Sequence, residues 1–178
     1  MKIVYLAVAA LALVLPAQAL AGGTGGSAAA KPNSARLCNA QRTAMGAKDF
    51  AALYGVGPQH RNAFGRCVSA LERAAQADQD NAAQACKAEQ SDTTFPVNHG
   101  GKTFADWYGR NARKADAYGN CVSQKAHAAA AARQQATLTA AQSCKGERAT
   151  NAAAFRTKYG TNKTKSNAFA RCVAANRG

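Results

Sequence analysis

The sequence predicts an all-α fold of three tandem helical hairpins, each stapled by one disulfide and joined to the next by an alanine-rich helix. Three observations carry this. A unit containing Phe-x-x-x-Tyr-Gly and, further on, Cys-Val occurs three times. The six cysteines fall two to a unit. After residue 21 the β-branched apolar residues are Val56, Val68, Val97, Val122 and Val173, too few to write a sheet.

Residues 1–21 read as a secretory signal. Lys2 supplies the positive start, Ile3 to Leu15 form an uncharged run, Pro16 ends it, and cleavage after Ala19 or Ala21 is expected. The run is shorter than the roughly 20 residues a membrane span needs. Residues 22–36 are rich in Gly, Ser and Ala with almost nothing to bury, and read as a flexible leader. The chain after residue 21 is therefore expected outside the cytoplasm, secreted or in the cell envelope.

Unit 1 spans 37–77, unit 2 spans 78–133 and unit 3 spans 134–178. The spacing from Phe50, Phe104 and Phe155 to Tyr54, Tyr108 and Tyr159 is 4 residues each time, and from each Tyr to the second Cys it is 13. From first Cys to Tyr the distance is 16, 22 and 15, so unit 2 carries an insertion, placed at about 92–101, where Pro96 and Gly100-Gly101 mark a loop. Phe and Tyr at i and i+4 share one face of a short helix. The Gly after each Tyr is expected in the left-handed conformation that stops a helix. Asn62, Asp116 and Asn167 are expected to cap the next helix, whose third residue is aromatic (Phe64, Tyr118, Phe169) and expected inside. Between units the periodicity is helical, with cap residues at Asp78-Gln79-Asp80-Asn81 able to interrupt the first connection. The second, from Cys121 to about Ala149, meets no Gly or Pro before Gly146 and reads as a long helix.

Six cysteines in an exported chain make disulfides the default. Repeat symmetry favours Cys38–Cys67, Cys86–Cys121 and Cys144–Cys172. A continuous helix would hold Cys121 and Cys144 about 35 Å apart, far beyond the ~7 Å limit for a bridge. Cys67–Cys86 is disfavoured unless the chain folds back at 78–81. Only 21 large apolar or aromatic side chains follow residue 21, and cores this thin rely on staples. No C-x-x-C or C-x-x-C-H is present, so no zinc knuckle, redox pair, haem or other cofactor is written here.

No catalytic motif stands out. His60, His99 and His127 match no other histidine across the units. Glu89 and Glu147, each three residues after the first Cys of its unit, are replaced by Gln41 in unit 1, which favours a helix-surface role. The place for a site of an enzyme or enzyme inhibitor, if either is the role, is the unit 2 insertion with His99 and, beyond it, Trp107. The charge speaks more clearly: 23 Lys and Arg oppose 9 Asp and Glu, a formal +14. Arg61, Arg66, Arg110, Arg113, Lys114, Lys163, Lys165 and Arg171 gather around the Tyr-Gly loops, the footprint of a polyanion binder. Colloidal solubility explains such a charge equally well. The partners expected are an anionic envelope polymer, an acidic polysaccharide or a protein; no docking motif for sequence-specific nucleic-acid binding is present.

The A-F-G-x-C-V-S string with F-x-x-x-Y-G upstream resembles a motif repeated in uncharacterised exported bacterial proteins. The likeness covers about residues 37–176 and implies a repeat architecture without an activity. Unit 3 departs from it with Ala170 and Ala174. The expected role is non-catalytic: a basic binding or structural component outside the cytoplasm.

Overall fold

A computed structural model describes residues 33–57 and 59–177; the stretch read as a signal and most of that read as a leader lie outside the described residues. Among the described residues the chain forms helices α1 (Ser34–Met45), α2 (Ala47–Tyr54), α3 (Ala63–Ser91), α4 (Phe95–Asn98), α5 (Phe104–Tyr108), α6 (Ala117–Thr150), α7 (Ala152–Tyr159) and α8 (Ala168–Asn176), and no strand beyond one isolated bridge between Val56 and Arg61. Three disulfides join Cys38 to Cys67, Cys86 to Cys121 and Cys144 to Cys172. Helix α1 starts inside the stretch read as leader, because the Asn33 side chain accepts the Arg36 amide at 3.0 Å and so caps it.

α3 and α6 organise the molecule. They are 29 and 34 residues long, about 43 and 51 Å at 1.5 Å per residue, and they pack antiparallel. Small side chains let them approach: Ala82 on α3 and Thr137, Ala140 and Ala141 on α6 are buried. The expected interruption at 78–81 is absent. Asp78 pairs with Arg133 across the two helices, and Asp80 accepts a bond from Gln76 at 3.0 Å within α3. Of the two expected caps, Asp80 and Asn81, the first is thus spent on a partner within the helix, Asp78 is spent on Arg133, and packing against α6 carries the helix through.

This hairpin determines where the units lie. α3 carries the chain from unit 1 to unit 2, and α6 brings it back to unit 3, which docks on unit 1. Units 1 and 3 share one core, in which Phe50, Phe155, Phe169 and Val173 surround the buried cystines Cys38–Cys67 and Cys144–Cys172. Unit 2 sits at the far end with its own core of Phe95, Phe104 and Tyr108 around Cys86–Cys121. An ion pair between the half-buried Arg148 and the buried Asp49 clamps the shared core: Arg148 of α6 donates Nη2 to Asp49 Oδ2 at 3.0 Å, with Nη1 at 2.8 Å from Oδ1 but poorly aligned. The same guanidinium lies 5.1 Å from the Phe169 ring centroid, a cation–π contact. Of the three aromatics expected inside, only Phe169 is buried. Phe64 and Tyr118 stand at the surface, because only unit 3 has a neighbouring unit laid over that position.

The glycine after each Tyr works differently from expectation. Gly55, Gly109 and Gly160 have φ of −73°, −74° and −75°, outside the left-handed region. What they require is the missing Cβ: on Gly160 it would lie 2.6 Å from the Arg156 carbonyl oxygen and 2.7 Å from Lys165 Cδ. The left-handed residue comes five positions later, at His60, Lys114 and Lys165, with φ of 50°, 55° and 56°.

Urea unfolding at neutral pH should separate three variants. Gly160→Ala should cost about 2–3 kcal/mol through the backbone clash, whereas Gly119→Ala, where nothing lies within 4 Å of the added carbon, should gain up to about 1 kcal/mol of helix propensity. Arg148→Ala, which strands the buried Asp49, should lose about 3 kcal/mol.

Candidate functional site

Each unit closes on its tyrosine. Tyr54 donates its hydroxyl to Gln41 Oε1 at 2.6 Å, Tyr108 to Glu89 Oε2 at 2.9 Å, and Tyr159 to Glu147 Oε2 at 2.9 Å. The residue three after the first Cys is therefore a tie between the cystine helix and the aromatic helix, buried at Gln41 and part-exposed on the helix surface at Glu89 and Glu147. Its recurrence at that spacing was the signal available in the sequence. Gln41 is buried and carries no charge, so its tie needs no cation. Glu89 is paired with Lys125 at 2.7 Å and Glu147 with Lys158 at 2.8 Å. Burial opposes the charge on Glu89, but hydrogen bonds from Lys125 and Tyr108 outweigh it and hold the carboxyl below its ordinary range. At Glu147 the bonds from Lys158 and Tyr159 do the same. Lys125 and Lys158 are both raised, chiefly by the bond to the partner carboxylate.

The loops after Tyr-Gly are built by their polar residues. Lys114 and Lys165 fold back so that Nζ donates to the Gly109 and Gly160 carbonyls, at 3.3 and 2.8 Å. These two of the eight basic candidates thus brace their loops. Asp116 and Asn167 accept amides from the loop upstream, of Arg110 and Asn111 and of Thr161 and Asn162 respectively. They make no capping bond into α6 or α8, and Asn62, left-handed at φ 57°, makes none into α3. The sequence suggests caps because these residue types suit both tasks; the loop amides, which otherwise lack partners, claim them.

The remaining candidates are exposed and are not brought together. Arg61, whose Nε donates to Gln59 at 2.7 Å, Arg66, Lys163 and Arg171 belong to units 1 and 3. Arg110 and Arg113 stand at the other end, on unit 2. Docking unit 3 onto unit 1 nonetheless concentrates charge: residues 33–73 and 144–177 hold 14 Lys and Arg against Asp49, Glu72 and Glu147, and two of those three acids are already ion-paired. Residues 84–127, around unit 2, hold 6 against 4. Arg73 and Arg177 belong to the charged end although the sequence did not single them out; Arg73 is seven residues after Arg66, hence on the same helical face.

The insertion folds as an aromatic stack. The His99 ring lies parallel to Phe95 at 3.7 Å between centroids and meets Trp107 edge-on at 4.7 Å. Its Nδ1 is 2.8 Å from the Phe95 carbonyl oxygen. Lys102 Nζ is 5.5 Å from the centroid of the half-exposed Trp107. Thr103 caps α5: its Oγ1 accepts the Asp106 amide at 3.2 Å and donates to Asp106 Oδ2 at 2.7 Å. Among the described residues no group of three His, Cys, Asp or Glu side chains could hold a metal ion, and no helix is long and apolar enough to cross a membrane. No family model, curated protein or solved structure matches the chain.

The ties of units 2 and 3 should titrate. A carboxyl held below its unfolded value of 4.5 stabilises the fold above that pH and loses its contribution as pH falls through the folded value. The wild-type protein should therefore weaken on acidification below about pH 4.5, and the double variant Glu89→Gln/Glu147→Gln, which copies the neutral tie of Gln41, should lose less stability between pH 7 and pH 3. Thermal unfolding across that range tests this; parallel acid limbs would refute it.

Proposed function

We propose that this is an exported, non-catalytic protein that binds an anionic polymer through the end where units 1 and 3 meet. The observation that carries the reading is the charge imbalance of that end, 14 basic side chains against 3 acidic, created by the fold rather than by any one stretch of sequence. A surface with one sign of charge attracts polyanions over distances comparable with the Debye length, about 8 Å at physiological salt. Three buried disulfides support a working place that is oxidising, where envelope polymers and acidic polysaccharides are the abundant polyanions.

Solubility alone would be served by charge distributed over both ends, so the two readings separate experimentally. On immobilised heparin the protein should be retained at low salt and elute with a linear dependence of log affinity on log salt, as counterion release requires. Lys163→Gln/Arg171→Gln should elute at clearly lower salt, and Arg110→Gln/Arg113→Gln close to wild type. Weak retention at low salt, or equal shifts from both ends, would sink the proposal.

A further inference from the structure

The basic end carries a larger concavity of about 640 Å³ between the start of α1 and α3, whose one charged lining residue is Glu72, and a smaller one lined by two arginines. The smaller lies between the C-terminal end of α2 and the first turns of α3 and encloses about 410 Å³. Arg66 and Arg73 stand on its α3 side, seven residues and so about 10 Å apart along the axis. Ser69 lies between them, and Asn62 marks the start of the helix. Leu53 and the half-buried Tyr54 form the opposite side. The floor is kept open by Gly65, around whose missing Cβ no atom lies within 4 Å.

Resting on the polyanion reading, we infer that this groove is a binding site for an acidic oligosaccharide. The chemistry matches on each side. Two guanidinium groups two helical turns apart can each take a carboxylate through paired N–H donors, at a separation close to the span of two linked sugar rings. The Ser69 hydroxyl and Asn62 amide between and beside them both donate and accept, as sugar hydroxyls do. Leu53 and the Tyr54 ring offer an apolar wall for the C–H face of a pyranose. A single-stranded nucleic acid fits less well, because its bases need freely exposed rings on which to stack, and the one ring in the groove is half-buried with its hydroxyl held by Gln41. No corresponding pair exists in the other units: seven residues beyond Asn120 stands His127, and Arg171 has only Gly178.

The test is calorimetric titration of the disulfide-bonded protein with hexagalacturonate, with maltohexaose as the neutral counterpart and a thymidine hexanucleotide as the phosphate counterpart. Hexagalacturonate should bind and maltohexaose should not. Arg66→Gln/Arg73→Gln should weaken binding about tenfold or more. Lys145→Gln/Arg156→Gln, which removes the same charge from the same end, should weaken it no more than about threefold. Gly65→Leu fills the groove without touching the charge and should weaken binding about as much as the double arginine variant, with an unchanged melting transition showing that the fold is kept. Wild-type affinity in Gly65→Leu would refute the groove while leaving the polyanion reading intact. Equal or tighter binding of the hexanucleotide, lost in the same variants, would overturn the sugar assignment. Binding of none of the anions would bring down both.

Discussion

Each unit of this protein is assembled around a cystine that is fully buried, and the rest of the structure depends on that arrangement. Large apolar side chains are so few that none of the three units could close on hydrophobic burial alone. Closing loops of 29, 35 and 28 residues removes about 3.6–3.8 kcal/mol of unfolded-state entropy each in the chain-entropy picture, as much as a small core supplies. Around every cystine the same second layer recurs. A Phe packs beneath, a Tyr ring tilts against it at about 5 Å, and the Tyr hydroxyl ties back to the cystine helix. Sulfur fixes the crossing of two helices, and the tyrosine fixes the third element against them.

Above the unit, the alanine-rich helices set the tertiary arrangement. Alanine contributes helix propensity and leaves a thin surface, so α3 and α6 can lie close with few bulky contacts between them. The cost is weak specification of how the two helices register. Polar pairs restore it: Asp78 with Arg133 near the middle, Tyr118 Oη donating to the Ala83 carbonyl at 3.1 Å near unit 2, and Asp49 with Arg148 where units 1 and 3 meet. Partly exposed polar pairs of this kind add little net stability, but their fixed geometry sets a register that suits a hairpin whose apolar surface would tolerate sliding.

What the sequence makes legible is whatever has a fixed spacing. Phe to Tyr, Tyr to Cys and the alanine run are local periodicities, and they predict the helices. The tie at Gln41, Glu89 and Glu147 has a fixed spacing too, yet its meaning depends on a partner 12 to 19 residues away, and the switch from amide to acid disguises it. The glycines after Tyr mislead because a missing Cβ and a left-handed φ leave the same letter in the sequence; only the approach of Lys114 and Lys165 distinguishes them. The docking of unit 3 on unit 1 leaves no local trace at all. Asp49 and Arg148 are 99 residues apart, and nothing about either residue alone announces the other. The charge concentration inherits that invisibility, since it exists only once the hairpin has closed; the groove beside Arg66 is local to α2 and α3, but its shape is set by how those two helices pack.

The uninterrupted helix from Ala63 to Ser91 also bears on how the thiols find one another during oxidation. Along the chain Cys67 is nearer to Cys86 than to its actual partner, and Cys144 is nearer to Cys121 than to Cys172, so a flexible polypeptide would cross-link wrongly at first encounter. Helix formation is faster than thiol exchange by many orders of magnitude, and once α3 and α6 have formed, each wrong neighbour sits at the opposite end of a rod. The connecting helices thus act as proofreaders of oxidative folding, keeping incorrect partners out of reach while the right ones are brought together.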